Sequence, residues 1–257
     1  MTQVSERSTS DLFRSVATLI AILAAFGTNI LANISPFNGL TIGEISNQYF
    51  QNVLIIPANY AFAIWGIIYL GLISFGIYQV LPTQRDNPRL RPMGYLLVVA
   101  SVAQIIWVFL FEYLLFSWSV LAMLCILLAL IGTYLRLDIG LTRVSRSDKW
   151  FVNIPLSIYL AWISVATIVN IASALYALGW NGGFITPVIW TAIMLAIAAA
   201  IAAFVTWQRT DIAFNLVFVW AYIAIAVRQA EYPVIAWTAG GLAIALVALL
   251  VVRIQGR

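Results

Sequence analysis

Pro57-Ala58-Asn59-Tyr60-Ala61-Phe62-Ala63-Ile64-Trp65-Gly66-Ile67-Ile68-Tyr69 opens an apolar run long enough to cross a bilayer, and it loads the first turns of that run with a proline, an amide and four aromatic side chains. Lipid requires none of these, because Leu, Ile, Val and Ala suffice for a span. A helix start bearing Asn59, Tyr60, Phe62, Trp65 and Tyr69 is therefore expected to present a face to a flat or ring-shaped apolar molecule.

Outward from this stretch the same pattern of long apolar runs recurs. Mean hydropathy is +1.00 and only 9% of residues are charged, which places the chain among polytopic membrane proteins. Uncharged runs between charged or Gly/Pro-rich breaks predict an all-α bundle of eight transmembrane helices, at 12–34, 59–81, 93–112, 117–136, 150–178, 186–207, 211–229 and 233–253. A seven-span alternative makes 186–207 and 211–229 a re-entrant pair. Residues 1–11 read as a polar tail too short to fold on its own.

Sidedness follows from the 13 Lys and Arg residues. Arg7, Arg14, Arg85, Arg89, Arg91, Arg136, Arg143, Arg146, Lys149, Arg209, Arg253 and Arg257 fall on one side of an eight-span topology, and Arg228 alone falls on the other. The positive-inside rule then puts both termini in the cytoplasm, with a bacterial plasma membrane as the simplest setting. The net charge of +4 is read as membrane topology, and no soluble basic face with aromatic platforms suggests nucleic acid. The lipid bilayer is the expected surrounding.

Histidine is absent, and the single cysteine, Cys125, lies inside an apolar span. No disulfide, thiolate metal site or His-based acid–base machinery is expected. The only lysine, Lys149, is in a loop, which excludes an in-bundle Schiff base. No catalytic residue and no metal ligand is assigned, and no cofactor is required.

Polar groups within the spans are costly in hydrocarbon unless paired or facing a cavity. Asn29, Trp65, Gln104, Trp107 and Asn170 all fall in the outer half of their helices and can meet at one level. The competing reading is that the amides only bond one helix to another. Between the first two spans, the outer segment 35–57 has no Lys or Arg. Thr41 and Glu44 have capping-box spacing ahead of Ile42, Ile45, Tyr49 and Val53, which predicts a short interfacial helix over the cavity.

Trp118, Trp150, Trp180, Trp190, Trp207 and Trp237 sit near helix ends as an interfacial belt, whereas Trp65, Trp107, Trp162 and Trp220 fall inside spans and are weighed as ligand contacts. Arg228 and Glu231 have the spacing of a helical ion pair. Ala192, Ala196 and Ala200 offer a small-residue face for another helix or for a second copy in a homodimer. Leu130-x-x-x-Tyr134-x-Arg136 fits a permissive sterol-contact pattern.

Several of these stretches together resemble the tryptophan-rich sensory proteins, the TspO/MBR family that includes the mitochondrial translocator protein. Pro57 to Tyr69 is similar to that family's second-helix signature. Val102-Ala-Gln-Ile-Ile-Trp107 with Phe111 is similar to its third, with Gln104 where Asn is usual. Tyr159-Leu-Ala-Trp162 through Ala166 to Asn170 is similar to its fifth, with Ile158 in place of a proline. The likeness covers 12–180, a five-helix ligand-binding core, and leaves 181–257 as an additional three-helix region.

The resemblance implies a pocket for a porphyrin or other tetrapyrrole, with a sterol or isoprenoid as alternatives. Ligand contacts are expected at Asn29, Tyr60, Trp65, Tyr69, Gln104, Trp107, Trp162, Ala166 and Asn170. The implied role is sensory, regulatory or ligand-handling. Light-dependent porphyrin degradation comes from the likeness alone, and binding is favoured over catalysis. A transporter of a hydrophobic metabolite and a structural subunit are the rival functions.

Overall fold

The computed structural model describes residues 2–84, 87–180 and 182–256, with side chains from Ser10 onward. Arg85, Arg257 and the side chain of Arg7 lie outside the described residues. All regular structure among the described residues is helical: α1 (Thr2–Ile34), α2 (Ile42–Tyr49), α3 (Ile64–Val80, entered through a 3₁₀ turn at Asn59–Ala63), α4 (Leu96–Glu112), α5 (Phe116–Arg136), α6 (Arg146–Asp148), α7 (Ile154–Ala177), α8 (Pro187–Arg209), α9 (Ile212–Arg228) and α10 (Pro233–Gln255). The eight predicted spans correspond to α1, α3 with its 3₁₀ entry, α4, α5, α7 with the turn before it, α8, α9 and α10, within a few residues at each end except at the start of α1. The segment read as an unfolded tail instead continues α1 down to Thr2.

Six helical segments are long and apolar enough to cross a membrane, among them α3 taken with its 3₁₀ entry as Asn59–Val80. α4 and α9 have 17 residues each, about 26 Å at 1.5 Å per residue, the short end of what spans a bilayer. α8 and α9 are two separate helices joined by a tight turn at Thr210.

α7 has a local cause for its irregular start. Pro155 carries no backbone N–H, so the ladder beneath it cannot be a regular α-helix. A π turn at Lys149–Asn153 absorbs the defect, with Ile154 donating to the Lys149 carbonyl, and joins α6 to α7 in one rod. Pro155 packs against α3 at Gly71, where an added Cβ would lie 3.0 Å from the proline ring, so the two helices meet there without a side chain between them.

α4 packs on α1 and α5, α7 on α5, α3 and α9, and α8 and α10 on α9. Since lipid tails are as apolar as Leu, polar clamps help to fix these contacts. Asp211 caps the Phe214 N–H at the start of α9 and accepts from Tyr134 of α5 and Ser157 of α7. Tyr222 donates to the Leu195 carbonyl at 2.7 Å, and Asn215 to Thr206 Oγ1 at 2.8 Å, tying α9 to α8. Leu130 and Tyr134 are both buried in these contacts, so the sterol-like pattern faces protein. α8 buries Leu195, Ala198, Ala199 and Ala202. Of the predicted small-residue face, Ala192 is half-buried and Ala196 and Ala200 are exposed.

The basic residues gather at one end. Arg14 donates to the Leu90 carbonyl, Arg91 pairs with Asp11 at 2.7 Å, Arg209 donates to the Ile139 carbonyl and Arg253 lies over the Trp207 ring. Arg89 bonds Asn153 at 2.6 Å and faces Asp148 at 4.0 Å. Burial pushes the Arg89 pKa down, and the neighbouring carboxylate opposes that shift. Arg228, on α9, stands at the other end.

Candidate functional site

At the end opposite the basic cluster, α1, α3, α4, α5 and α7 enclose a cavity of about 480 Å³ beneath α2. Each wall has a local origin. α3 contributes Trp65 in its first turn, directly after the Pro57–Ala63 entry, which supplies Pro57, Asn59 and Phe62. α4 contributes Trp107 and Phe111, at i and i+4 on one face, and α5 contributes Met123. α7 lays Trp162, Ala166, Val169 and Ser173 along one helical stripe, with Val165 and Asn170 beside it. Asn29 and Asn33 of α1 close the side.

The predicted interfacial helix is present as α2. Thr41 Oγ1 accepts the Glu44 N–H at 3.2 Å while Glu44 Oε2 accepts from the Thr41 N–H at 2.8 Å, a complete capping box. The Thr41 N–H and the Thr41 hydroxyl, both donating to Glu44 Oε2 at 2.8 Å, hold the exposed Glu44 carboxyl below its usual pKa. Ile42, Gly43, Ser46 and Asn47 line the cavity from above.

The roof is pinned at both ends. Glu112 Oε2 accepts the Phe37 N–H at 2.8 Å, and the Glu112 carbonyl accepts from Asn38 Nδ2 at 3.0 Å. On the far side Arg228 Nη1 donates to Asn47 Oδ1 and to the Pro57 carbonyl, each at 3.3 Å. The expected Arg228–Glu231 pair is replaced by these bonds, which reach back to α2 and the entry to α3. Two further contacts from α9 reinforce them: Ala58 N–H donates to the Ala224 carbonyl at 3.1 Å, and Trp220 Nε1 to the Ala61 carbonyl at 3.2 Å.

Of the nine predicted contact residues, Asn29, Trp65, Trp107, Trp162, Ala166 and Asn170 line this cavity. Three do not. Tyr60 points away, edge-on to Trp220 at 5.2 Å between ring centres. Tyr69 is buried behind Trp65, stacked on it at 5.6 Å, and directs its hydroxyl to the Ala25 carbonyl. Gln104 lies one turn deeper than Trp107, where its Oε1 accepts from Tyr159 at 3.3 Å. Gln104 and Tyr159 are buried beneath the cavity, a floor under it that does not itself line it. Trp220 borders a different hollow, on the flank of α9.

The tryptophans also differ in what their N–H groups do. Trp107 donates to Asn170 Oδ1 at 2.6 Å, and Asn170 Nδ2 donates to Ser119 Oγ at 3.0 Å, so this amide is occupied by protein. Among the described residues, the indole N–H groups of Trp65 and Trp162 make no hydrogen bond, and both side chains line the cavity. Phe62 stands edge-on to Trp162 at 6.1 Å. Val165, Val169 and Ser173 were not singled out in the sequence, although extending the Trp162–Ala166 face by helical steps reaches Val169 and Ser173. Met123 carries no such signal.

A bundle of membrane-length helices enclosing an aromatic cavity under an interfacial helix defines a polytopic membrane protein with a covered apolar pocket. The chain belongs to the TSPO-like protein family, whose model matches residues 15–252. The likeness traced in the sequence over 12–180 thus extends through α8, α9 and α10. No curated protein and no solved structure matches the chain.

Proposed function

We propose that this membrane protein binds a flat hydrophobic molecule in the cavity beneath α2, a tetrapyrrole such as protoporphyrin first and a sterol or isoprenoid second, in a sensory or ligand-handling role. The observation that carries this reading is the pairing of Trp65 and Trp162 on one aromatic cavity, with neither indole N–H hydrogen-bonded among the described residues. A volume of about 480 Å³ falls within the ~300–1,000 Å³ of small-molecule sites. Apolar ring surface is buried against Trp65, Trp162, Phe62 and Phe111, while Trp65, Trp162 and Asn29 supply the few polar contacts that orient it.

Binding and handling are favoured over passage through the bundle because Gln104 and Tyr159 are buried and bonded to each other on the cavity's deep side. No residue of α8, α9 or α10 lines the cavity; α9 instead supports its rim. By the positive-inside rule the basic end and both termini face the cytoplasm, and the α2 roof faces outward.

The test is a titration of purified protein with protoporphyrin, read by quenching of intrinsic fluorescence and by the porphyrin absorption band. Saturable binding is expected for the native chain, with at least tenfold weaker binding for Trp65→Ala with Trp162→Ala. A folded double variant with native affinity would refute the site.

A further inference from the structure

A second hollow, of about 1090 Å³, is a groove on the flank of the bundle between α3, α7 and α9, and it shares no lining residue with the cavity under α2. It follows α9 from Asp211 to Trp220, about 14 Å at 1.5 Å per residue. Its wall is apolar, built from Ile64, Ile67, Leu216 and Val217, with Ile67 and Leu216 exposed. At the basic end it opens between segment 139–144 and the start of the α6–α7 rod, where Arg143 and Lys149 are exposed beside Trp150.

The polar side chains of Asn153, Ser157 and Asp211 on the groove wall are engaged by the protein. Ser157 donates to Asp211, which also accepts from Tyr134 and the Phe214 N–H, and Asn153 Oδ1 accepts from Arg89. Thr210, at the basic end, is different. This β-branched residue sits at φ 49°, ψ 44°, a left-handed conformation that such side chains avoid, and its buried hydroxyl has no partner among the described residues. The groove thus matches an occupant with a long featureless apolar part and a negatively charged head at one end.

We propose that this groove is a binding site for an anionic phospholipid of the surrounding bilayer. One acyl chain lies along α9 between Ile67 and Leu216, and the phosphate sits at Arg143 and Lys149. The groove runs along the bundle axis, as acyl chains do. An extended peptide there would leave backbone polar groups facing an apolar wall, which hydrocarbon depth does not permit. Charge complementarity selects an anionic head over a zwitterionic one, and the position of the basic pair at the groove mouth matches the level at which headgroups lie.

The experiment compares full-length purified protein with added dioleoylphosphatidylglycerol, dioleoylphosphatidylcholine or glycerol phosphate, read by thermal unfolding and by native mass spectrometry. The anionic lipid is expected to raise Tm more than the zwitterionic lipid and to remain bound as a single adduct, while glycerol phosphate gives no shift. Arg143→Glu with Lys149→Glu removes the preference, and Leu216→Trp removes the adduct by filling the groove. Arg143→Gln with Lys149→Gln serves if the reversed charges impair folding. Equal stabilisation by the two lipids, an undiminished preference in the charge variants, or a full shift from glycerol phosphate would each overturn the proposal.

Discussion

Trp107 and Asn170, 63 positions apart, meet as donor and acceptor at 2.6 Å. Because Asn170 also reaches Ser119 on α5, one amide joins α4, α5 and α7 at the level of the cavity. Asn170, which also lines the cavity, thereby ties three of its walls together.

Asn170→Ala should accordingly act on stability more than on recognition. Removing the acceptor leaves the Trp107 donor buried and unpaired, and interhelical hydrogen bonds of this kind are worth about 0.6–1.7 kcal/mol. Unfolding in detergent should show a loss of that size, with protoporphyrin affinity falling less than in Trp162→Ala. An Asn170→Ala protein as stable as the native one, with binding abolished, would reverse the two assignments.

The latch from α9 to the roof gives a kinetic prediction. Arg228→Ala removes both bonds to Asn47 and the Pro57 carbonyl, so amide hydrogens in 41–58 should exchange faster and ligand should enter and leave faster. Arg228→Lys restores the charge without the guanidinium fork and should recover only part of the protection. Unchanged exchange in that segment would show that α9 does not restrain α2.

Roof stability should depend on pH through Glu44. Its folded pKa is depressed by the Thr41 hydrogen bonds, so its contribution is present above the unfolded carboxyl value of about 4.3 and is lost as pH falls through the lower folded value. Exchange at the Glu44 and Ile45 amides should rise across that acid range. Glu44→Gln should flatten the profile, because Gln keeps an acceptor but does not titrate.

The floor offers a double-mutant test. Tyr159→Phe alone strands Gln104, whose Nε2 already lacks a partner, and should cost about 1–3 kcal/mol, the penalty for leaving a buried polar group unmade. Adding Gln104→Leu removes both partners and should recover most of the loss. Strictly additive losses would mean that the pair is not coupled in the native bundle.

Eight helices, their ends except the start of α1, and the gathering of positive charge at one end were legible in residue order alone, since a run of about 20 apolar residues has few other fates and Lys and Arg mark the breaks. The Thr41/Glu44 capping box and the Trp162–Ala166–Asn170 helix were equally legible, because their partners lie within a few positions of each other. Only the tertiary structure decided that Trp107 spends its N–H on Asn170, that Gln104 lies beneath the cavity instead of in it, and that Tyr60 turns toward Trp220. It alone placed Arg228 on the roof 181 positions upstream. The physical reason is that periodicity fixes the face on which a side chain emerges but not which helix stands opposite. In an apolar bundle that choice is made by side-chain packing and by a handful of hydrogen bonds between residues far apart in the chain.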